Sequence, residues 1–136
     1  MVDKDNISQK IFINSELAWL YGKLEEPQPE EALKYLNAAK ELGRDDEWIH
    51  SEIGYQLGYN PEARKESLEH FDRAIELGRN DAWINSEIGI CYKDLDKYEE
   101  ALEYYLLAYE EDKEEIWLLS DIGWLYNELD RYEEAL

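Results

Sequence analysis

Basic residues are scarce in this 136-residue chain: 14 Lys and Arg stand against 34 Asp and Glu, a formal net charge of −20. That shortage argues against sequence-independent binding of nucleic acid, which needs cations to displace the counterions on phosphates. It argues equally against a peripheral site on an anionic membrane. Long hydrophobic runs are missing too. The longest, Tyr104 to Tyr109, has six residues, against the roughly 20 of a transmembrane helix. The opening MVDKDNISQK has no apolar stretch of signal-peptide type. A single cysteine, Cys91, rules out an internal disulfide, and a lone thiol suits a reducing compartment, so a cytoplasmic location is expected. Seven Gly and three Pro are too few for a loop-rich chain.

Residues with the spacing of a catalytic or metal site are also lacking. His50 and His70 belong to different segments, with no Cys or metal-spaced His nearby, so a zinc site is not expected. Glu69-His70 lacks the second histidine of a helical metalloprotease motif. Asp94-Leu95-Asp96 lacks the glycine and terminal glutamate of a calcium loop. No glycine-rich phosphate loop is present. Cys91 falls in an apolar pattern beside Tyr92 and reads as buried filler. The chain therefore reads as a non-enzyme with no cofactor and no metal.

Apolar material is plentiful, at 44% of residues, with 5 Trp, 11 Tyr and 2 Phe. Acidic disordered tails are poor in aromatics, so an ordered core is expected. The chain also repeats itself. NSELAWLY (14–21), HSEIGYQL (50–57), NSEIGICY (85–92) and LSDIGWLY (119–126) align, with serines 36, 35 and 34 residues apart. Between them recur EEALKYLNAAKEL (30–42), KESLEHFDRAIEL (65–77), EEALEYYLLAYEE (99–111) and, at the end, EEAL (133–136). A period near 34 marks stacked supersecondary units.

Each unit reads as two helices. Ile84, Ile88, Tyr92 and Leu95 form one apolar stripe, and Ala101, Leu102, Tyr105 and Ala108 another. Gly43 and Gly78 are placed as left-handed C-caps, and Asp46 and Asp81 as N-caps of the next helix. Asn60-Pro61 and Pro29 mark helix starts.

These residues carry a resemblance to the tetratricopeptide repeat (TPR) family. Its first-helix core, an apolar residue, a small residue and then an aromatic, is matched by Leu17-Ala18-x-x-Tyr21, Ile88-Gly89-x-x-Tyr92 and Ile122-Gly123-x-x-Tyr126, and with a leucine by Ile53-Gly54-x-x-Leu57. The second-helix core is matched by Ala101, Tyr105 and Ala108, by Ser67, Phe71 and Ala74, and by Ala32, Leu36 and Ala39. The resemblance implies an all-α, right-handed superhelical solenoid of antiparallel helix pairs. Residues 1–10 read as an N-terminal extension, and residues 11–136 as the array, with repeats at about 11–45, 46–80, 81–114 and an incomplete 115–136. Gly54, Gly89 and Gly123 are expected to admit the second helix closely.

The chain departs from the family's pattern in ways that bear on function. Asn14, His50, Asn85 and Leu119 fill the usual tryptophan slot, and the aromatics stand two residues earlier, about 200° around the helix. Arg44, Arg79 and Lys113 replace the proline between repeats. In the family, first helices line a concave groove that holds a peptide or helix of a partner. Carried over residue by residue, the groove would present Phe12, Trp48, Trp83 and Trp117; Ser15, Ser51, Ser86 and Ser120; Glu16, Glu52, Glu87 and Asp121; and Trp19, Tyr55, Ile90 and Trp124. Chaperone-binding members clamp an acidic C-terminal tail with Lys, Arg and Asn, where this chain has Ser15, Trp19, Glu52, Trp83 and Glu87. A carboxylate ligand would be repelled. The implied partner is a basic or aromatic–apolar protein segment, with tryptophan faces open to cation–π contact. A tryptophan recurring in every unit also fits packing between repeats, and the Ser and Glu rows fit capping and solvation.

The charge is uneven: residues 81–136 hold 17 acids and 4 bases, residues 1–80 hold 17 and 10. The acidic half would steer a cationic partner. The closing EEAL starts a second helix and stops before its aromatic, so the sequence reads as part of a longer array. Trp117, Ile122 and Leu125 should then be partly uncovered, and the uncapped end should favour self-association. Two alternative readings remain beside the interaction scaffold. One is a peptide-sensing regulatory module using Asn14, Asn85 and Asn127. The other is a structural array that assembles end to end.

Overall fold

The computed structural model describes residues 4–135, with side chains through Arg131. Among the described residues the regular structure is entirely helical: α1 Lys4–Gly22, α2 Pro29–Glu41, α3 Glu47–Leu57, α4 Arg64–Glu76, α5 Ala82–Asp94, α6 Tyr98–Glu111 and α7 Ile116–Ala135, with a 3-10 turn at Pro61–Ala63 leading into α4. The chain forms two compact units, Met1–Gly78 and Arg79–Leu136. The first holds the pairs α1/α2 and α3/α4, and the second holds α5/α6 and α7.

In the first unit the turn chemistry decides where helices stop. Gly43 takes φ 115°, a left-handed conformation that costs glycine nothing. Its N–H donates to the Lys40 carbonyl at 2.9 Å and the Arg44 N–H to the Ala39 carbonyl at 3.1 Å. This pair of bonds closes the last turn of α2 in a Schellman cap. Three residues on, the Asp46 carboxylate accepts the Ile49 N–H at 2.9 Å, an N-cap of about 1 kcal/mol. Pro29 stands in the first turn of α2. Asn60 accepts from the Glu62 N–H at 3.1 Å, so it caps the 3-10 turn and not α4, whose own N-cap residue, Ala63, has no side-chain bond. Ala18, Leu36, Ala39, Ile49 and Ile53 form the core of α1–α3. Phe71 of α4 lies over Gly54, where a Cβ would come within 2.9 Å of its ring.

The second unit repeats the scheme with different pieces. Asp81 caps α5 through the Ile84 N–H at 2.9 Å. Between α5 and α6 there is no glycine, and Asp96 itself takes φ 60°. Tyr105 of α6 is fully buried and packs on Gly89. Ala101, Ala108, Leu118, Ile122 and Leu125 complete the core.

Helix α1 starts at Lys4, so residues 4–10 of the stretch read as an extension are helical. Two expectations need correcting. Residues 133–135, expected to open a second helix, continue α7 without a break; Leu136 lies outside the described residues. No Gly or Pro occurs from 124 to 136, and extending a helix adds one hydrogen bond per residue, whereas a new one must first be nucleated. Finally, Ile122 and Leu125 are buried, because α6 covers them. The surface left open on α7 is another one: Leu119, Gly123 and Tyr126.

Candidate functional site

The first helices do gather aromatic and acidic side chains, separately in each unit. In the first unit Phe12, Ser15, Glu16 and Trp19 of α1 meet Arg44 and Trp48 around a pocket of about 460 Å³. In the second, the residues at the matching repeat positions do the same. Trp83, Ser86 and Glu87 of α5 and Trp117 of α7 line a pocket of about 200 Å³, joined by Ala82, Asp112, Glu115 and Leu118. Arg44 in the first, and Asp112 and Glu115 in the second, were not among the residues expected.

The electrostatics of the two pockets differ for this reason. The Arg44 guanidinium lies 4.0 Å from the Trp48 ring. It donates to the Ser15 hydroxyl at 2.7 Å and to the Asp46 carboxylate at 3.1 Å. Arg79 repeats part of this arrangement, 4.4 Å from the Trp83 ring and 3.1 Å from Asp81. The spacing Arg-x-Asp-x-Trp, at 44–48 and 79–83, is the signal that sequence reasoning passed over. It puts the helix cap and the cation of a cation–π pair in one turn. A tryptophan face expected to be open to a partner's cation is thus covered by the chain's own arginine at Trp48 and Trp83. The third such segment, 113–117, has lysine first, and Lys113 approaches Glu110 at 3.9 Å. Trp117 meets Tyr105 edge-on with centroids 6.0 Å apart and stays 40% exposed.

Other expected residues are engaged inside the fold. Ser51 is fully buried and donates to the Glu47 carbonyl at 2.6 Å, so it does not face a groove. Ser15 and Ser86, also buried, donate to the carbonyls of Ile11 and Trp83. These hydroxyls turn back to their own helix because burial without a partner would be costly. Asp121 pairs with Lys93 at 3.3 Å, and the Lys93 ammonium lies 5.0 Å from the Trp124 ring. Tyr55 stacks edge-on with Tyr59. Glu52 and Ile90 are half-buried, and Ser120 is exposed. Of the amides suggested for a sensing clamp, Asn14 donates to the Lys10 carbonyl and Asn85 is buried against Asn80. Asn127 is exposed.

The phenol of Tyr105 ends among acids. Burial, and after it the charge of Asp121, pushes its pKa well above the usual 10, with Asp94 and Glu87 adding to the effect. It stays neutral at any working pH.

The fold also joins the two histidines, which the sequence kept apart. His50 Nδ1 and His70 Nδ1 are 3.1 Å apart, and the rings stack at 5.3 Å. On its other side His50 Nε2 contacts Asp45 at 2.5 Å. Burial and the nearby His50 hold the His70 pKa below its usual value, and the hydrogen bond from His50 lowers that of Asp45. Among the described residues no three His, Cys, Asp or Glu side chains are placed to hold a metal ion. No helix among them is long and apolar enough to cross a membrane.

The sequence matches no protein-family model and no curated protein. Solved structures do match, and those compared below are TPR proteins or MamA. The first TPR of Spaghetti (RPAP3) bound to the HSP90 peptide SRMEEVD aligns with a TM-score of 0.77 at 17% identity, over 90% of this chain and 95% of that one. The first TPR domain of human RPAP3 gives 0.76 at 15%, over 94% and 98%. A crystal structure of MamA gives 0.78 at 18%, over 96% of this chain and 70% of that one. The chain has the tetratricopeptide repeat fold.

Proposed function

We propose that this TPR-fold chain is a protein-interaction module whose first helices receive a basic or aromatic–apolar segment of a partner. The observation that carries the reading is the pocket of the second unit: Glu87, Asp112 and Glu115 beside the exposed Trp117 and beside Trp83, whose ring Arg79 approaches at 4.4 Å. A Lys or Arg side chain entering there meets three carboxylates and an aromatic face, contacts worth about 0.5–2 kcal/mol for the cation–π part. The excess of acids in residues 81–136 would also speed its approach in a salt-dependent way. In the first unit Arg44 neutralises part of the pocket, which by itself suits an apolar side chain, against Phe12 and Trp19. The RPAP3 domain compared above holds an acidic peptide, and the like-charged lining here favours the opposite ligand.

Calorimetric titration of the acidic peptide SRMEEVD beside a peptide of equal length rich in Arg and Trp tests this. The basic peptide should bind more tightly, weaken as salt is raised, and lose its advantage in Glu87→Lys/Glu115→Lys with folding checked by circular dichroism. Tighter binding of SRMEEVD by the wild-type protein would overturn the proposal.

A further inference from the structure

The turns that lead into α3, α5 and α7 share one frame, residues 44–48, 79–83 and 113–117. In the first, the planar Arg44 guanidinium makes several contacts at once. It lies 4.0 Å from the Trp48 ring, donates to the Asp46 carboxylate at 3.1 Å and donates to the Ser15 hydroxyl at 2.7 Å. In the second, Arg79 keeps the stack on Trp83 at 4.4 Å and the bond to Asp81 at 3.1 Å. Both are filled guanidinium sites of the same kind.

The third turn keeps the receiving groups and lacks the guanidinium. Trp117 corresponds to Trp48, Glu115 to Asp46 and Ser86 to Ser15, and all of them line the second unit's pocket of about 200 Å³. Lys113 stands at the arginine position but turns away, to Glu110 at 3.9 Å. Trp117 stays 40% exposed. In the earlier turns the aspartate carboxylates hold the Ile49 and Ile84 N–H groups. Here the Leu118 N–H bonds the Glu115 carbonyl at 3.1 Å, so the Glu115 carboxylate is not tied up in a cap. Ser86 donates to the Trp83 carbonyl and keeps its acceptor side, as Ser15 donates to Ile11 while accepting from Arg44. Asp112 stands where the earlier turns have Gly43 and Gly78, and adds a carboxylate to the lining. Both walls of the pocket, α5 and α7, are in place. Its counterpart of about 460 Å³ between α1 and α3 remains with α2 and α4 also present, so second helices do not cover this face.

We propose that this pocket is an arginine site: it takes one guanidinium from a partner protein, stacked on Trp117 and bonded to Glu115 and Ser86, in preference to an ammonium. This rests on the partner-binding role proposed above for the same surface, and names the residue that is recognised there. Arginine's plane stacks on an aromatic face and presents its donors in a fixed fork, whereas lysine's ammonium is a compact, strongly hydrated point charge. Lys113 shows the difference within the chain. From the arginine position it goes to Glu110 and stays 63% exposed, where Arg44 and Arg79 lie on their tryptophans. A basic segment of another protein fits better than a second copy, whose own net charge of −20 opposes approach.

The test is calorimetric titration of the whole chain with the Arg- and Trp-rich peptide introduced above, and with the same peptide carrying lysine for every arginine, so that charge is equal. The arginine peptide should bind about fivefold more tightly or better. Lys113→Arg gives the site a guanidinium of the chain's own with no change in net charge, and should cut that advantage below about twofold. Trp117→Leu should do the same, since it removes the stacking face and keeps an apolar contact for Tyr105; circular dichroism checks folding. Equal binding of the two peptides, both tighter than SRMEEVD, would overturn the arginine assignment and leave the basic-ligand reading standing. Failure of both to exceed SRMEEVD would overturn the two together. An advantage that persists in either variant would overturn the proposal, because arginine would then be read elsewhere. So would a wild-type protein that sediments as a dimer and becomes monomeric in Lys113→Arg, since a second copy would then be the occupant.

Discussion

Alanine at Gly89 and alanine at Gly123 should move the stability of the same compact unit in opposite directions. Both glycines lie inside helices, where alanine is favoured over glycine by about 0.8–1.0 kcal/mol. At Gly123 nothing opposes that gain, because the added methyl meets no atom within 4 Å. At Gly89 the methyl would stand 2.6 Å and 2.7 Å from two carbons of the Tyr105 ring. That ring is fully buried between α5 and the Ala101–Ala108 face of its own helix, so restoring contact distance of about 3.5–4 Å means shifting a packed side chain. Overpacking of this kind costs about 1–3 kcal/mol. After the helix gain is subtracted, Gly89→Ala should lose about 1 kcal/mol and Gly123→Ala should gain about 1. The two variants should therefore differ by about 2 kcal/mol, or a urea midpoint separation of about 1 M for an m-value near 2 kcal/mol/M. Urea unfolding followed by circular dichroism at equal protein concentration is the assay. If Gly123→Ala destabilised as much as Gly89→Ala, α7 would be covered in solution. A stabilising Gly89→Ala would show that the Tyr105 ring yields freely. Either result would refute the packing argument.

Three further outcomes follow from the contacts. Arg44→Ala removes a cation–π contact, the bond to Ser15 and the bond to Asp46 together, and should cost about 1–2 kcal/mol in denaturant unfolding; a loss below 0.3 would mean that these contacts are solvated away. Tyr105→Phe should change stability by less than about 0.5 kcal/mol, because no hydrogen bond to a described residue closes on the buried hydroxyl; a loss above 1 would show that Asp121 accepts from it in solution. His70 has a depressed pKa, so the unfolded chain binds its proton more readily, and stability should rise with pH towards the unfolded value of 6.5 and fall below it. Denaturant midpoints at pH 7.5 and 5.5 should thus differ, with a smaller difference in His70→Gln, where Asp45, His50, Lys40 and Glu66 remain; an unchanged difference would locate the pH response elsewhere.

The repeat and its caps were legible because they are local. Gly43 and Asp46 act within one turn of the residues they cap, and Ala101, Tyr105 and Ala108 mark a buried face by spacing alone. The tryptophans were legible as a row but not as to use. Whether Trp48 offers its face to a partner depends on Arg44, four residues earlier, whose guanidinium could equally have pointed into solvent. Ser51 looked like a groove hydroxyl from its position, yet burial turned it onto Glu47. The histidines, twenty residues apart, gave no sign of meeting until α3 and α4 packed.

One pair of segments separates what sequence settles from what it leaves to the fold. DLDKYEEAL (94–102) and ELDRYEEAL (128–136) are nearly the same, and the sequence by itself determined the repeat, the helical propensity and the apolar pattern of both. In the first, Asp96 turns the chain at φ 60° and α6 folds back, because Ala101, Tyr105 and Ala108 find Gly89 and α7 to bury against. In the second, α7 runs straight through the matching residues as far as Ala135, and no atom of the described residues lies within 4 Å of a Cβ placed at Gly123. A left-handed turn at a non-glycine residue costs free energy that only tertiary burial offsets, so the decision between turn and helix lies in the packing.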